Sequence, residues 1–136
     1  MKNKVNLLSL IMFLFFILMK IEIIKAEEQF NFDVNDIEIL DEGNIFKGFN
    51  GGTVTTDEGL TIVADKFEYN KSLNILKAFG DVKINDQIND YKIFAEKMTY
   101  IKNIEKIFTI GNTKALIENN FLFNSKNVEL FRNQKI

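Results

Sequence analysis

The chain contains no cysteine, no histidine and no proline in 136 residues. Without cysteine there is no disulfide to hold a small exported fold together, and no thiol nucleophile or thiolate ligand. Without histidine the usual catalytic base near neutral pH and the commonest imidazole metal ligand are missing as well. The lack of proline leaves long hydrogen-bonded strands uninterrupted. Charge of one sign is never concentrated either, since no run of five like charges occurs. Such a mixed surface gives no electrostatic footprint for nucleic acid. These absences lead to an expectation of a non-enzymatic protein with no cofactor and no metal, held by burial and by backbone hydrogen bonds.

Long apolar runs are confined to the N-terminus. Lys2 and Lys4 precede an apolar run from Val5 to Met19, broken only by Asn6 and Ser9, and Ala26 follows at a cleavage position. Residues 1–26 therefore read as a secretory signal peptide, with residues 27–136 as the exported domain. The alternative is an uncleaved anchor, because Ile21, Ile23 and Ile24 could lengthen the helix. Lys20 and Glu22 oppose it, since a span needs about 20 predominantly apolar residues. Cleavage would remove four of the 17 basic residues and one of the 19 acidic ones, leaving 13 and 18 and a net charge of −5.

What the chain does have is a repeat. Ile62 to Lys83 is followed 31 residues later, without a gap, by Ile93 to Lys114, with seven identities in 22 positions, among them Ala64/Ala95, Lys66/Lys97, Tyr69/Tyr100 and Gly80/Gly111. Its core signature is a small residue followed by apolar residues three and five positions on. Ala64-Phe67-Tyr69 and Ala95-Met98-Tyr100 carry it, and it recurs as Ser125-Val128-Leu130 and, upstream, as Val34-Ile37-Ile39. A period of this length marks stacked units, none of which buries its apolar face alone.

Within a unit the pattern is that of strands. Leu60, Ile62 and Ala64 fall on one face and Thr61, Val63 and Asp65 on the other, and Phe67 and Tyr69 then continue the apolar set with opposite parity. A strand changes parity only by adding a residue, so a bulge or bend is expected at Asp65-Lys66 and again at Glu96-Lys97. Leu76 to Ile84 alternates most cleanly, Ile107 to Ile117 less so, and the last strand is read over Phe121 to Phe131. Turns are expected at Asp41-Glu42-Gly43-Asn44, Phe49-Asn50-Gly51-Gly52, Asp57-Glu58-Gly59 and Asn70-Lys71-Ser72, with a loop over Asn85 to Asp90. A helix over Tyr100 to Phe108 is the competing reading, but strand formers dominate and the upstream copy has Ser72 and Asn74 there.

Stacking such units predicts rows of equivalent residues: small Ala64, Ala95 and Ser125 beside large Phe67, Met98 and Val128 or Tyr69, Tyr100 and Leu130. It also predicts two facing sheets with open ends, and unpaired edge strands able to accept another strand. Gly80 and Gly111, at one position in consecutive copies, read as fold corners or as points of close approach. Asp65 and Glu96 recur as repeat positions at a bend, not as a convergent catalytic pair.

The stretch Gly59 to Asp65, then Tyr69, Leu76 to Val82, Ile93 to Lys97, Tyr100 and Gly111 resembles the OstA-type repeat of lipopolysaccharide-transport proteins. Within that family the chain is similar to the periplasmic N-terminal module of the assembly protein LptD, with the soluble bridge protein LptA as the alternative. The resemblance implies an all-β, OstA-like β-jellyroll, twisted and V-shaped, in the periplasm and associated with the outer membrane. It implies a groove for the acyl chains of lipopolysaccharide, and head-to-tail strand pairing with other Lpt jellyrolls. The family's transmembrane barrel does not occur through Ile136, nor do the cysteines that tie it to the N-terminal module, so the chain reads as a fragment, as a split component whose outer-membrane barrel is supplied separately, or as a stand-alone bridge. The groove candidates are Ile62, Ala64, Phe67, Leu76, Val82, Ile93, Ala95, Met98 and Ile107, and the docking-edge candidates are Phe121, Phe123, Val128 and Leu130. The reading from a different class is a structural β-solenoid segment of a surface adhesin, whose interior would be solid core.

Overall fold

A computed structural model describes residues 30–118 and 120–133, so the signal-peptide reading of residues 1–26 lies outside the described residues. The architecture is all-β: β1 (Asn31–Leu40), β2 (Ile45–Thr55), β3 (Leu60–Ala64), β4 (Lys66–Asn70), β5 (Ile75–Asp86), β6 (Tyr91–Ile101), β7 (Lys106–Ile117) and β8 (Phe121–Phe131). Successive strands are joined by short turns, and every ladder is antiparallel. The result is a meander rather than the coils of a solenoid. The competing helix reduces to a single turn at Lys102–Ile104, closed by a bond from Glu105 N–H to the Lys102 carbonyl.

Instead of two separate sheets, one sheet folds on itself. Its order is β1-β2-β3-β5-β6-β7-β8, and β4 also lies between β2 and β5, continuing the line of β3. A row of kinks crosses every strand. In the ladders β1–β2, β5–β6 and β7–β8, two residues on one strand face one on the next: Asn50-Gly51 against Asn35, Gly80-Asp81 against Glu96, and Gly111-Asn112 against Lys126. All six residues of these pairs have positive φ, from 37° to 83°. Asp65 breaks the third line of the sheet in the same row, its N–H bonded to the Gly80 carbonyl and its carbonyl to the Gly51 N–H. The expected bend at Asp65 is present and the register shifts near Glu96 as expected, between Phe94 and Lys97, but the extra residues there belong to the neighbouring strands, at Gly80-Asp81 and Gly111-Asn112. The expected turn at Phe49 to Gly52 is not a turn. The same left-handed preference of Asn and Gly serves a bulge inside the continuous strand β2.

The kink row divides the sheet into two blades. Blade A holds β3, the C-terminal halves of β2, β5 and β7, and the N-terminal halves of β1, β6 and β8. Blade B holds β4 and the other halves. Apolar residues of both blades, from Val54 and Ile62 to Leu76 and Tyr100, form one buried cluster, so the inner faces are turned towards each other. Turn stacking explains the repeat period. Along the free end of blade B, Lys71 N–H bonds to the Asn44 carbonyl, Lys102 N–H to Asn74 and Arg132 N–H to Glu105. Along blade A, Gln87 N–H bonds to Gly59 and Glu118 N–H to Asp90.

The predicted rows are adjusted by one strand. Equivalent residues of consecutive units are not neighbours, because the partner strand of each unit lies between them. The row is Phe67, Ala78, Met98, Thr109, Val128, alternating large and small. That alternation lets facing layers interdigitate, which a uniform column of large residues would not.

Candidate functional site

The interior is the inner face of the folded sheet. Ile62, Phe67, Leu76, Val82, Ile93, Met98 and Ile107 are at most 2% exposed, and Ala64 is buried beside them. These eight of the nine groove candidates belong to one contiguous cluster. Ala95 differs: it is half-buried at the kink, where the sheet opens outward into a crease between Phe94, Glu96 and Asn112. Each aliphatic residue sealed here contributes roughly 1.5–3 kcal/mol by leaving water.

The seal fails at the two ends of the sheet, and on opposite blades. On β1, Ile37 and Ile39 lie opposite Gly48 and Phe46 on blade B and are about half exposed. On β8, Phe121 and Phe123 lie opposite Ile117 and Ala115 on blade A, 58% and 52% exposed. Val128 and Leu130, the other edge candidates, are half-buried on blade B, Leu130 packing against the core. The inner face thus continues past its covered part at both edges.

Along the free ends of the blades, where a V would gape, the structure is closed by two clusters that meet at Tyr100. From the β1 side comes an aromatic one. Phe30 packs edge-on against Tyr69 and Tyr100, at 4.9 and 5.8 Å between ring centres, and Phe32 stacks on Phe46. From the β8 side comes an ionic one. Arg132 donates from Nε to Asp86 Oδ2 at 2.6 Å, and from Nη1 to the Tyr100 hydroxyl and to Glu105 Oε2, both at 2.9 Å. The same Nη1 reaches Glu58 Oε2 at 3.2 Å, and Lys102 donates to Glu58 Oε2 at 2.6 Å and to Glu105. Asp86 is itself braced by the Asn89 amide and by the N–H groups of Ile88 and Asn89.

The electrostatics follow from these contacts. Burial pushes the Asp86 carboxyl up, but hydrogen bonds from Arg132 and Asn89 outweigh it and hold the group below its ordinary range. The Lys102 hydrogen bond does the same for Glu58 against a smaller burial effect. Burial works against the charge on both cations, yet their bonds to Asp86, Glu105 and Glu58 leave both more basic than usual. Burial, with the hydrogen bond to Glu105, pushes the Tyr100 hydroxyl up to about 12. Burial and the charge of Asp86 raise Tyr91 further still. The Tyr91 hydroxyl is buried close to Asp86 and Arg132, without a well-formed hydrogen bond among the described residues.

The ionic cluster was not found from sequence. Its members come from the β2–β3 turn, the end of β5, the β6–β7 turn and the residue after β8, and they are 27 to 74 positions apart where they meet Arg132. One signal was present: Arg132 is the only arginine in a chain otherwise supplied with lysine. A planar guanidinium that satisfies several carboxylates at once is what a lysine cannot replace.

A folded antiparallel sheet with a kink row, an apolar inner face and open edges defines a class, the V-shaped β-jellyroll, and solved structures share it. One is LptH of Pseudomonas aeruginosa, described as the LptA-homologous periplasmic component of the conserved lipopolysaccharide transport device. The match has a TM-score of 0.71 and 13% identity, and covers 81% of each chain. No protein-family model and no curated protein matches the sequence.

Proposed function

We propose that this chain is a non-enzymatic periplasmic module of a lipopolysaccharide-transport device. It carries acyl chains against its inner face and pairs through its sheet edges with other jellyrolls, at or near the outer membrane. The observation that carries this reading is the fold shared with LptH over 81% of both chains, reached independently of the OstA-type repeat quoted above. The apolar inner face supports it, since each methylene sheltered there gains about 0.8 kcal/mol. Similarity to the N-terminal module of LptD, rather than to an LptA-like bridge, remains part of the proposal.

The closed interior favours a second reading. Eight of the nine groove candidates are packed against one another, as a solid-core structural module would have them. The carrier reading requires the blades to part.

Photocrosslinking separates the two. A benzophenone amino acid at Phe67 or Met98, in the protein exported to a periplasm that makes lipopolysaccharide, is expected to label lipopolysaccharide several-fold more than the same group at exposed Lys83. Equal labelling at all three positions would remove the carrier reading and leave the solid core.

A further inference from the structure

The charged cluster at the free ends of the blades lies outside everything the carrier reading needs of an apolar interior. Its arrangement is directional. The Arg132 main chain belongs to blade B, where its N–H is bonded to the Glu105 carbonyl. Its side chain, only 4% exposed, crosses to blade A and ends on Asp86 and Glu58. Lys102, on the stacked turn beside it, crosses to the same Glu58. Asp86 and Glu58 reach back from the ends of β5 and the β2–β3 turn. Both cations of the cluster are therefore spent on carboxylates of blade A, although Glu105 of their own blade is also in contact with each.

A general rule and one observation make this closure poised rather than locked. Buried ion pairs give little net stability, because desolvation offsets attraction, yet removing one partner strands the other. Glu58 is the arm that water reaches first, its side chain being 56% exposed while that of Asp86 is fully covered.

We infer that Arg132, Lys102, Asp86 and Glu58 form an ionic clasp across the mouth of the folded sheet, and that the apolar interior becomes accessible when it releases. What enters is a question for the carrier reading, on which the clasp depends only for its purpose. Glu105 and the Tyr100 hydroxyl hold the two cations in place from blade B, and Asn89 holds Asp86 from blade A.

The absence of cysteine makes the test clean, because Met98→Cys places a single thiol on the buried inner face. The rate at which a small neutral maleimide labels that thiol reports opening. In the Arg132→Gln background labelling is expected to be about tenfold faster or more, and in Lys102→Met a few-fold faster, as loss of charged hydrogen bonds implies. A core variant that leaves the four charges in place, Ile84→Val, should leave the rate near the parent's. Labelling within twofold of the parent in folded Lys102→Met and Glu58→Gln would overturn the clasp, even if Arg132→Gln fails to fold. Faster labelling without any uptake of a fluorescent acyl-chain probe would keep the clasp and remove the carrier reading.

Discussion

At the scale of the residue, Gly80 shows how the kink row is made. Its φ is +76°, and a Cβ there would sit 2.2 Å from Asp65 Oδ2 and 2.9 Å from Asp65 Cβ. Gly111 meets Glu96 in the same way, which is why both positions of the repeat are glycine and both neighbours are carboxylates that can lie across a bare backbone. Gly80→Ala therefore combines a left-handed backbone penalty with a displaced Asp65, and is expected to destabilise by about 2–3 kcal/mol. Gly43, with a φ of +91° and nothing within 4 Å of a Cβ there among the described residues, isolates the backbone component. Gly43→Ala should cost about 1 kcal/mol. Urea unfolding measures both, and equal losses would show that the contact with Asp65 contributes nothing.

At the scale of the element, β8 is an edge whose two halves do different work. Leu130 packs against the core, so Leu130→Ala is expected to cost about 1–2 kcal/mol, less than a fully buried leucine. Phe123 is half exposed, and Phe123→Lys should leave stability within about 0.5 kcal/mol while weakening any association through this edge. Sedimentation velocity over a range of concentrations, set beside urea unfolding, checks both. A Phe123→Lys protein that associates as the parent does would remove this half of β8 as a docking surface.

Much of the element level was legible because it is local. Parity reversal between Ala64 and Phe67 marked the bend, and β8 was read over its observed span where the repeat signature recurs as Ser125-Val128-Leu130. What failed was whatever depended on the next strand. The Asn50-Gly51 pair signals left-handed backbone, which a turn and a bulge use equally, and only pairing with β1, β3 and β4 distinguishes them. The rows of equivalent residues were displaced for a related reason, since the repeat unit is a hairpin and its second strand intervenes. The groove candidates were found as a set, but whether a cluster of inward residues is a lined channel or a packed core depends on the distance between blades. That distance is set by contacts such as Arg132 with Asp86, 46 positions apart, on which no local pattern bears.

At the scale of the whole molecule, the cluster that closes the blades makes stability depend on pH from both sides. Asp86 and Glu58 are held below their ordinary values of 3.8 and 4.5. A depressed folded pKa stabilises above the unfolded value and is lost as pH falls through the folded one, so the acid limb begins near pH 4 and deepens below it. Tyr100, raised from 10.0 to about 12, acts in the opposite direction. Its neutral form is favoured by folding, so its contribution is intact below pH 10 and declines between 10 and 12. Lys102, raised above 10.5, is lost over the same alkaline range or higher. The unfolding midpoint in urea should therefore be flat across neutral pH and fall at both extremes. Asp86→Asn removes the carboxylate that titrates against Arg132, so its midpoint should be lower at neutral pH and fall less steeply below pH 4. A variant whose acid limb runs parallel to the parent's would place the acid sensitivity in carboxylates other than this pair, and the closure of the blades would then owe more to the aromatic contacts of Phe30 with Tyr69 and Tyr100.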